Sequence, residues 1–402
     1  MQLSFTKSWT VIPTLLTLAF SALGVTAAQA APFPVTNLND SGAGSLRQAI
    51  TDANAAASAD TITFSVSGTI TLASTLPDIT DAAGLIMDGT GQTLTISGNS
   101  AVRVMQVAVG ASLTLNNLTI ANGSATGDSG GGIRNFGTTA ITNTTFSGNS
   151  ATSGFGGGIN NASGSTLTIT NSTFSGNIAN SGFGGGISNA SGNTLTITNT
   201  TFSGNSANFG FGAGIYTNGG ALTITNTTFS GNSANLGLGA GIYNNTLAAV
   251  TLRNTIVANS VGAGNCGGTI TNGGNNIDSA ATCGWGSTNG SMSSTNPLLG
   301  ALANNGGPTQ TLALLTGSPA IDGVTFSAPN SAPSTDQRGI ARPQGAGFDI
   351  GAYELGSAAP VIPVVPVPTT NVWAMMIFML LAGLGSLHDM RRRARGEYVA
   401  EH

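Results

Sequence analysis

Leu167-Thr-Ile-Thr-Asn-Ser-Thr-Phe174, Leu195-Thr-Ile-Thr-Asn-Thr-Thr-Phe202 and Leu222-Thr-Ile-Thr-Asn-Thr-Thr-Phe229 are three near copies of one phrase. Each is followed by Ser-Gly-Asn and then by a glycine-rich stretch ending in Gly-Ile. Apolar and polar residues alternate within the phrase, the period of a β-strand with leucine and isoleucine on one side. Asparagines recur at Asn117, Asn143, Asn171, Asn199, Asn226 and Asn254, in steps of 26, 28, 28, 27 and 28 residues. Ile133, Ile159, Ile187, Ile215 and Ile242 keep the same beat. A fixed period in this range marks a solenoid. Two or three short strands per turn of ~27 residues make it a parallel β-helix with turns ~4.8 Å apart. The equal-phase asparagines are expected to form a ladder of shared amide hydrogen bonds. Phe146, Phe174, Phe202 and Phe229 are expected to stack inside.

The repeat is clearest over residues 113–260 and continues less regularly on both sides. Thr61-Ile-Thr-Phe64, Gly68-Thr-Ile-Thr-Leu72 and Thr93-Leu-Thr-Ile96 read as early turns. Before them, Ser45–Asn54 is the one good short helix, with Ser45 as its N-cap. An open solenoid end exposes unpaired strand edges, so a helix there reads as a cap. The fold class is therefore all-β, a parallel β-helix over residues 31–355 with a capping helix first and a C-terminal cap over 296–355.

Composition fits this reading. Charged residues are 6% of the chain and glycine fills 59 positions, while the 40% hydrophobic content still suffices for a core. Lys7 is the sole lysine, and His388 and His402 the sole histidines. A lysine-free, mildly acidic body is a poor partner for nucleic acid, whose phosphates need clustered cations.

Both ends carry processing signals. Residues 1–30 combine Lys7, an apolar run and the exit Ala28-Gln29-Ala30, a secretory signal that implies the Sec machinery and a signal peptidase as partners. Residues 356–368 form a proline-rich linker. Val372–Leu387 is apolar and is followed by Arg391, Arg392, Arg393 and Arg395, the pattern of one C-terminal transmembrane helix over 372–387 with the arginines cytoplasmic. Cys266 and Cys283 lie in the exported part, where a pair of cysteines is expected to form a disulfide.

Several motifs then resemble known families. Gly44-Ser-Leu-Arg-Gln-Ala-Ile50 is similar to the N-terminal CSLREA-type motif of secreted β-helix proteins, with Gly44 and Gln48 replacing its cysteine and glutamate. Asn304–Thr311, Gly317–Asp322, Asp336-Gln-Arg-Gly339, Arg342-Pro343 and Asp349–Glu354 resemble the choice-of-anchor Q family, with Phe348 where relatives often carry a cysteine. The tail Val367–Met375 looks like the IPTL-CTERM sorting signal of residues 367–395, matching at Pro368, Thr369, Trp373 and Met375 and departing at Thr370. The resemblance implies a right-handed, pectate-lyase-like β-helix on a Gram-negative envelope, with the tail recognised by an exosortase-type transpeptidase. It implies no activity.

An enzyme is the main rival, since many β-helices cleave acidic polysaccharides. Hydrolases need paired carboxylates and lyases a positioned base. From Asn135 to Leu252 there is no Asp, Glu, Lys, Arg or His, and only Tyr216 and Tyr243 can titrate. Elsewhere Asp128 and Arg134 flank the Gly130–Gly132 loop, and Arg103 and Arg253 are candidates for one side of the stack. Gly127-Asp-Ser-Gly-Gly131 copies the nucleophile loop of trypsin-like proteases, yet the exported body has no histidine to serve as base. The cluster Asp336, Arg338, Arg342, Asp349 and Glu354 reads as a paired network closing the solenoid's end. Asp278 and Asp322 are lone carboxylates and suggest no metal site. No catalytic residue, metal or cofactor is expected.

The reading that remains is a displayed structural, adhesive or carbohydrate-binding protein. A degenerate lyase or hydrolase is the alternative. Outward Thr-x-Thr pairs (Thr168/Thr170, Thr196/Thr198 and Thr223/Thr225) add ice binding as a lesser one. Intact-mass analysis of the native surface protein should show a chain that starts near Ala30, and it decides whether the segment after the Pro368-Thr369 motif is cut and what replaces it.

Overall fold

The computed structural model describes residues 32–356, apart from 57, 237, 247 and 326–331. The signal segment and the whole sorting tail, including Pro368, Thr369, Trp373, Met375 and Arg391–Arg393, lie outside the described residues. The described chain is an all-β parallel solenoid of about nine turns with almost no helix. Among the described residues no helix is long and apolar enough to cross a membrane.

Each regular turn carries four short strands, as in Thr166–Thr170, Thr173–Ser175, Ile178–Ala179 and Ile187–Asn189. Equivalent strands stack into a first sheet of ten strands, a second of ten, a third of seven and a narrow fourth of five. Pairing is parallel and in register: Leu167 faces Leu195, Phe174 faces Phe202 and Ile187 faces Ile215. Leu, Ile and Phe of the repeat point inward and are fully buried. The inner phenylalanines stack ring on ring at 4.7, 4.8 and 4.6 Å from Phe146 through Phe229. That spacing is the turn repeat itself.

The six phased asparagines, Asn117 through Asn254, have φ between 47° and 54° and form the corner between the first and second sheets. Asparagine is among the few non-glycine residues that tolerate the left-handed region, which explains its recurrence there. The expected amide ladder forms at this corner only where Asn254 donates to Asn226 and Asn275 donates to Asn254, both at 3.1 Å. Elsewhere the corner amides turn outward: Asn117 donates to Thr90 Oγ1 and Asn199 to the Thr335 carbonyl. The continuous ladder is built by the asparagine of Ser-Gly-Asn. Asn149, Asn177, Asn205 and Asn232 are wholly buried, and the Nδ2 of each of the first three donates at 2.9 Å to the next Oδ1. Each also donates to a carbonyl of the preceding turn, Asn177 to Phe146 O at 3.0 Å. A second buried chain runs from Asn135 through Asn161 to Asn189.

The first turn is covered by the helix Leu46–Ala55, N-capped by Ser45, whose hydroxyl accepts the Gln48 N–H at 3.2 Å. Leu46, Ala49, Ile50 and Ala53 join the main core. At the other end the last turns close on the Cys266–Cys283 disulfide and on Trp285, both in that core.

The C-terminal segment corrects one expectation. Instead of closing the end, it runs back as a strap along the corner between the first and second sheets. Gly351 N–H donates to the Asn254 carbonyl at 2.8 Å, and Ala352 N–H donates to Thr228 Oγ1 at 3.0 Å. Gln337 bonds Thr201 and Thr173, and Thr309 reaches the Asn171 carbonyl at 3.0 Å. Gly351 has φ 101°, and a Cβ there would lie 2.7 Å from Thr228 Oγ1, so only glycine lets the strap approach. The outward apolar residues Ile256 and Ala258 supply the reason for this placement: with Leu314, Ala320 and Ile350 they form a separate small core beneath the strap.

The buried ladder should dominate local stability. Asn177→Ala removes an acceptor for two Asn149 groups and strands the Phe146 carbonyl. Urea unfolding should show a loss of roughly 3 kcal/mol, whereas Thr168→Ala on the exposed first sheet should stay within about 0.5 kcal/mol.

Candidate functional site

Apart from the Arg47–Asp40 pair at 2.6 Å beside the capping helix, ion pairs among the described residues gather at two places. The first lies where the second sheet's turns lead into the third. Asp128 pairs with Arg103 and, at 2.8 Å, with Arg134, and Arg103 also bonds the Gly130 and Ser129 carbonyls. Burial alone would raise the Asp128 carboxyl. The Arg103 hydrogen bond, the Ser129 N–H and both arginine charges outweigh it and hold the group below the ordinary carboxylate value. Arg134 lies over the Phe136 ring at 4.7 Å. Arg253 is elsewhere, at the end of a first-sheet strand with its Nε bonded to the Gly273 carbonyl. Its expected juxtaposition with Arg103 fails because their separation is not a whole number of turns. Each charge of the Asp128 cluster has an ion-pair partner, and a second carboxylate, Asp78, is linked to it only through Gln106, which accepts from Arg103 at 3.4 Å and donates to Asp78 at 2.8 Å.

The second place is the strap. Arg342 and Glu354 pair at 2.8 Å with side chains wholly buried, and Arg342 also donates to the Asp349 and Gly351 carbonyls. Arg338 pairs with Asp336 at 2.7 Å and stacks 3.6 Å over the Tyr353 ring. Glu354 accepts the N–H groups of Gln344 and Asp349, and Asp336 accepts those of Arg338, Ile340 and Glu354. All five sequence-predicted charges therefore converge. They fold the strap on itself, using backbone donors as much as ion pairs, which suits structure better than a ligand site. Burial pulls the Arg342 guanidinium down, opposed by Glu354, Asp336 and Asp349. Among the described residues no group of three His, Cys, Asp or Glu is placed to hold a metal ion. Asp278 is buried and accepts from Asn265 and Cys283; Asp322 accepts the Gly347 N–H.

The surface most unlike a structural lattice is the outside of the third sheet. Register places Gln106, Arg134, Asn160, Ser188, Tyr216 and Tyr243 in one outward row. Beside it the glycine-rich loops carry Phe155, Phe183 and Phe211, stacked at 5.5 and 5.3 Å. The loops can nest so closely because Gly182 replaces a side chain whose Cβ would lie 1.9 Å from the Gly154 carbonyl. Phe183 leans on Tyr216 at 4.7 Å and Phe211 on Tyr243 at 4.8 Å. Burial chiefly, with the neighbouring Tyr243 second, pushes the Tyr216 phenol up. Phe209 is 69% exposed and Leu236 54%, and Leu238 and Val261 extend the apolar strip.

Two polar side chains lie within the stripe. Asn160 and Ser188 are only 7% and 4% exposed. Among the described residues neither has a side-chain hydrogen-bond partner, and neither is among the side chains whose polar atoms are closed off without one, so both stay open to solvent and to a ligand. The stripe thus joins aromatic rings, two neutral polar side chains without a protein partner among the described residues and, at its N-terminal end, the Arg134–Asp128 pair. Sequence reading missed it. The signal was Gly-Phe-Gly at 154–156, 182–184 and 210–212, a phenylalanine at constant phase inside glycine-rich loops.

No protein-family model and no curated protein matches the chain.

The strap's Asp349 gives a pH test. Burial, assisted by Glu354, outweighs the Leu355 and Asp322 N–H donors and pushes its carboxyl up to about 6 from 3.8. Between those values the folded protein holds a proton that the unfolded chain has released, so its contribution to stability is lost as pH rises. The thermal midpoint should therefore rise on acidification from pH ~7 to ~5, and Asp349→Asn should flatten that part of the profile.

Proposed function

We propose that this chain is an exported, non-catalytic, right-handed β-helix displayed on a Gram-negative envelope, where it binds neutral polysaccharide along the third-sheet stripe. The observation that carries the reading is the stripe itself: exposed and half-buried aromatic rings with the solvent-reaching side chains of Asn160 and Ser188 set among them. Aromatic surfaces pack against the C–H faces of sugar rings, while an amide and a hydroxyl fix orientation by hydrogen bonds. Contiguous exposed apolar patches of this kind mark interaction surfaces. From Asn135 to Leu252 the chain is without charge, which favours an uncharged polymer over a polyanion. Export rests on residues 1–30, and envelope display on the sorting motif, the apolar segment 372–387 as a transmembrane helix and the arginines after it. An exosortase-type transpeptidase is the corresponding partner.

The first sheet gives the ice-binding alternative its one supporting observation, aligned outward rows of Thr168, Thr196, Thr223 and Thr251 and of Thr142, Thr170, Thr198 and Thr225. Ala140 and Arg253 interrupt those rows, and threonine is in any case a favoured strand residue. The degenerate lyase or hydrolase finds no such support.

Affinity electrophoresis through gels containing a neutral β-glucan or a polyuronate separates these readings. The protein should be retarded by the neutral polymer, and Phe183→Ala and Asn160→Ala should each relieve the retardation. Incubation with the polyuronate should release no unsaturated or reducing ends. Free migration in every neutral polysaccharide, or release of such ends, would overturn the proposal.

A further inference from the structure

The corner between the first and second sheets is a groove that the chain fills over only part of its length. Its floor repeats one motif, Asn-x-Thr, at Asn117–Thr119, Asn143–Thr145, Asn171–Thr173, Asn199–Thr201 and Asn226–Thr228. The asparagine holds the turn at positive φ and the threonine points outward from the second sheet. From Asn171 onward the strap occupies the floor and shows what it recognises. Thr173 Oγ1 donates to the Gln310 carbonyl at 2.6 Å, and Asn199 Nδ2 donates to the Thr335 carbonyl at 2.9 Å. Thr228 Oγ1 accepts a backbone N–H from Ala352, the Asn254 carbonyl accepts one from Gly351, and the Asn171 carbonyl accepts the Thr309 hydroxyl. In four of these five contacts the groove's partner is the main chain of an irregular, locally extended segment. The remaining side-chain partners, Thr309 and Gln337, are uncharged.

Beyond the strap's tip at Gly307-Pro308 the same floor continues. A cleft of about 360 Å³ is lined there by Gln92, Thr93, Asn117, Thr119, Asn143 and Pro308 among others. The side chains of Thr119, Asn143 and Thr145 have no hydrogen-bond partner among the described residues, and all three are only partly buried. Thr145 is in register with Thr173 and Thr119 with Thr145, so the threonine row runs from the filled turns to the cleft at the same spacing, and Asn143 there keeps an amide free among the described residues while that of Asn117 is held by Thr90. Three turns span about 10–15 Å, room for three or four extended residues.

We infer that this cleft binds an extended, uncharged polypeptide segment of a partner protein, laid end to end with the strap and read through its backbone. Continuity with the strap interface selects a peptide. The floor is the one this chain already uses to hold its own backbone, and it lacks the aromatic rings of the third-sheet stripe. The site is independent of glycan binding at that stripe.

Fluorescence anisotropy of the full chain with a labelled Gly-Pro-Thr-Gln-Thr peptide, the sequence of residues 307–311, tests this. Saturable binding is expected. Thr119→Val with Thr145→Val, both compatible with a strand, should weaken it about ten-fold through two lost hydrogen bonds. Thr145→Ser should preserve it, and Thr168→Val on the first sheet should leave it unchanged. A thermal midpoint equal to that of the parent chain shows that the double variant is folded. Absence of saturable binding, equal binding by the folded double variant, or displacement of the peptide by neutral oligosaccharide would overturn the inference, the last by making the cleft a glycan site.

Discussion

Each residue in a parallel solenoid sits between two residues of the same register about 4.8 Å away. That constraint governs nearly everything else in this molecule. A side chain repeated every turn must be compatible with its own copy. Phenylalanine meets the condition by ring stacking, and leucine and isoleucine by packing. Asparagine meets it because one amide carries both donor and acceptor, so that Asn149, Asn177, Asn205 and Asn232 can pass hydrogen bonds along the stack without remainder. A repeated charge fails it, because like charges at this spacing repel by about 3 kcal/mol near a protein surface. The uncharged stretch from Asn135 to Leu252 is therefore first a consequence of stacking, and only second a reason to doubt acid–base catalysis.

The same constraint decides how much was legible beforehand. The inward rows were readable because they repeat: Leu-Thr-Ile-Thr gave the strand, its recurrence gave the turn, and Phe146 to Phe229 gave the inner stack. Ser45 and the helix after it were readable from local capping chemistry. The continuous asparagine ladder was placed six residues too early in the turn, and the expected set ladders only at Asn226, Asn254 and Asn275. Asn171 and Asn177 recur with equal regularity, and periodicity alone does not say which side chain points in. Backbone geometry does: the Asn171 set holds left-handed corners, where the Asn117 and Asn199 amides turn away from a stack and only Asn226, Asn254 and Asn275 bond along it.

The strap was half legible. Its charges, from Asp336 to Glu354, were recognisable as a mutually paired group because they crowd together in a chain otherwise nearly free of charge. Where that group would lie was not recognisable, since docking depends on the outward faces of turns more than a hundred residues earlier. Thr173, Thr201 and Thr228 look like ordinary exposed strand threonines in the sequence, and the strap buries all three. Charges are permitted in the strap for the reason they are excluded from the turns: a non-repeating segment does not stack on itself, so Arg342 can meet Glu354 instead of another arginine.

Variation between turns then becomes informative in a way that composition is not. Inward rows must repeat, and the outward threonines of the first sheet repeat because threonine suits a strand. The outward row of the third sheet does not repeat. It passes from Gln106 and Arg134 through Asn160 and Ser188 to Tyr216 and Tyr243, while the core residue before each stays aliphatic or methionine. Stacking energy does not require that succession, and strand propensity would not choose Asn160 or Ser188. Nor does solubility account for Phe209 and Leu236 standing exposed beside it. A face whose residues change in order along an otherwise monotonous stack is not explained by stacking, and the mixture of ring, amide and hydroxyl found there is what supports the neutral-polymer contact proposed for it.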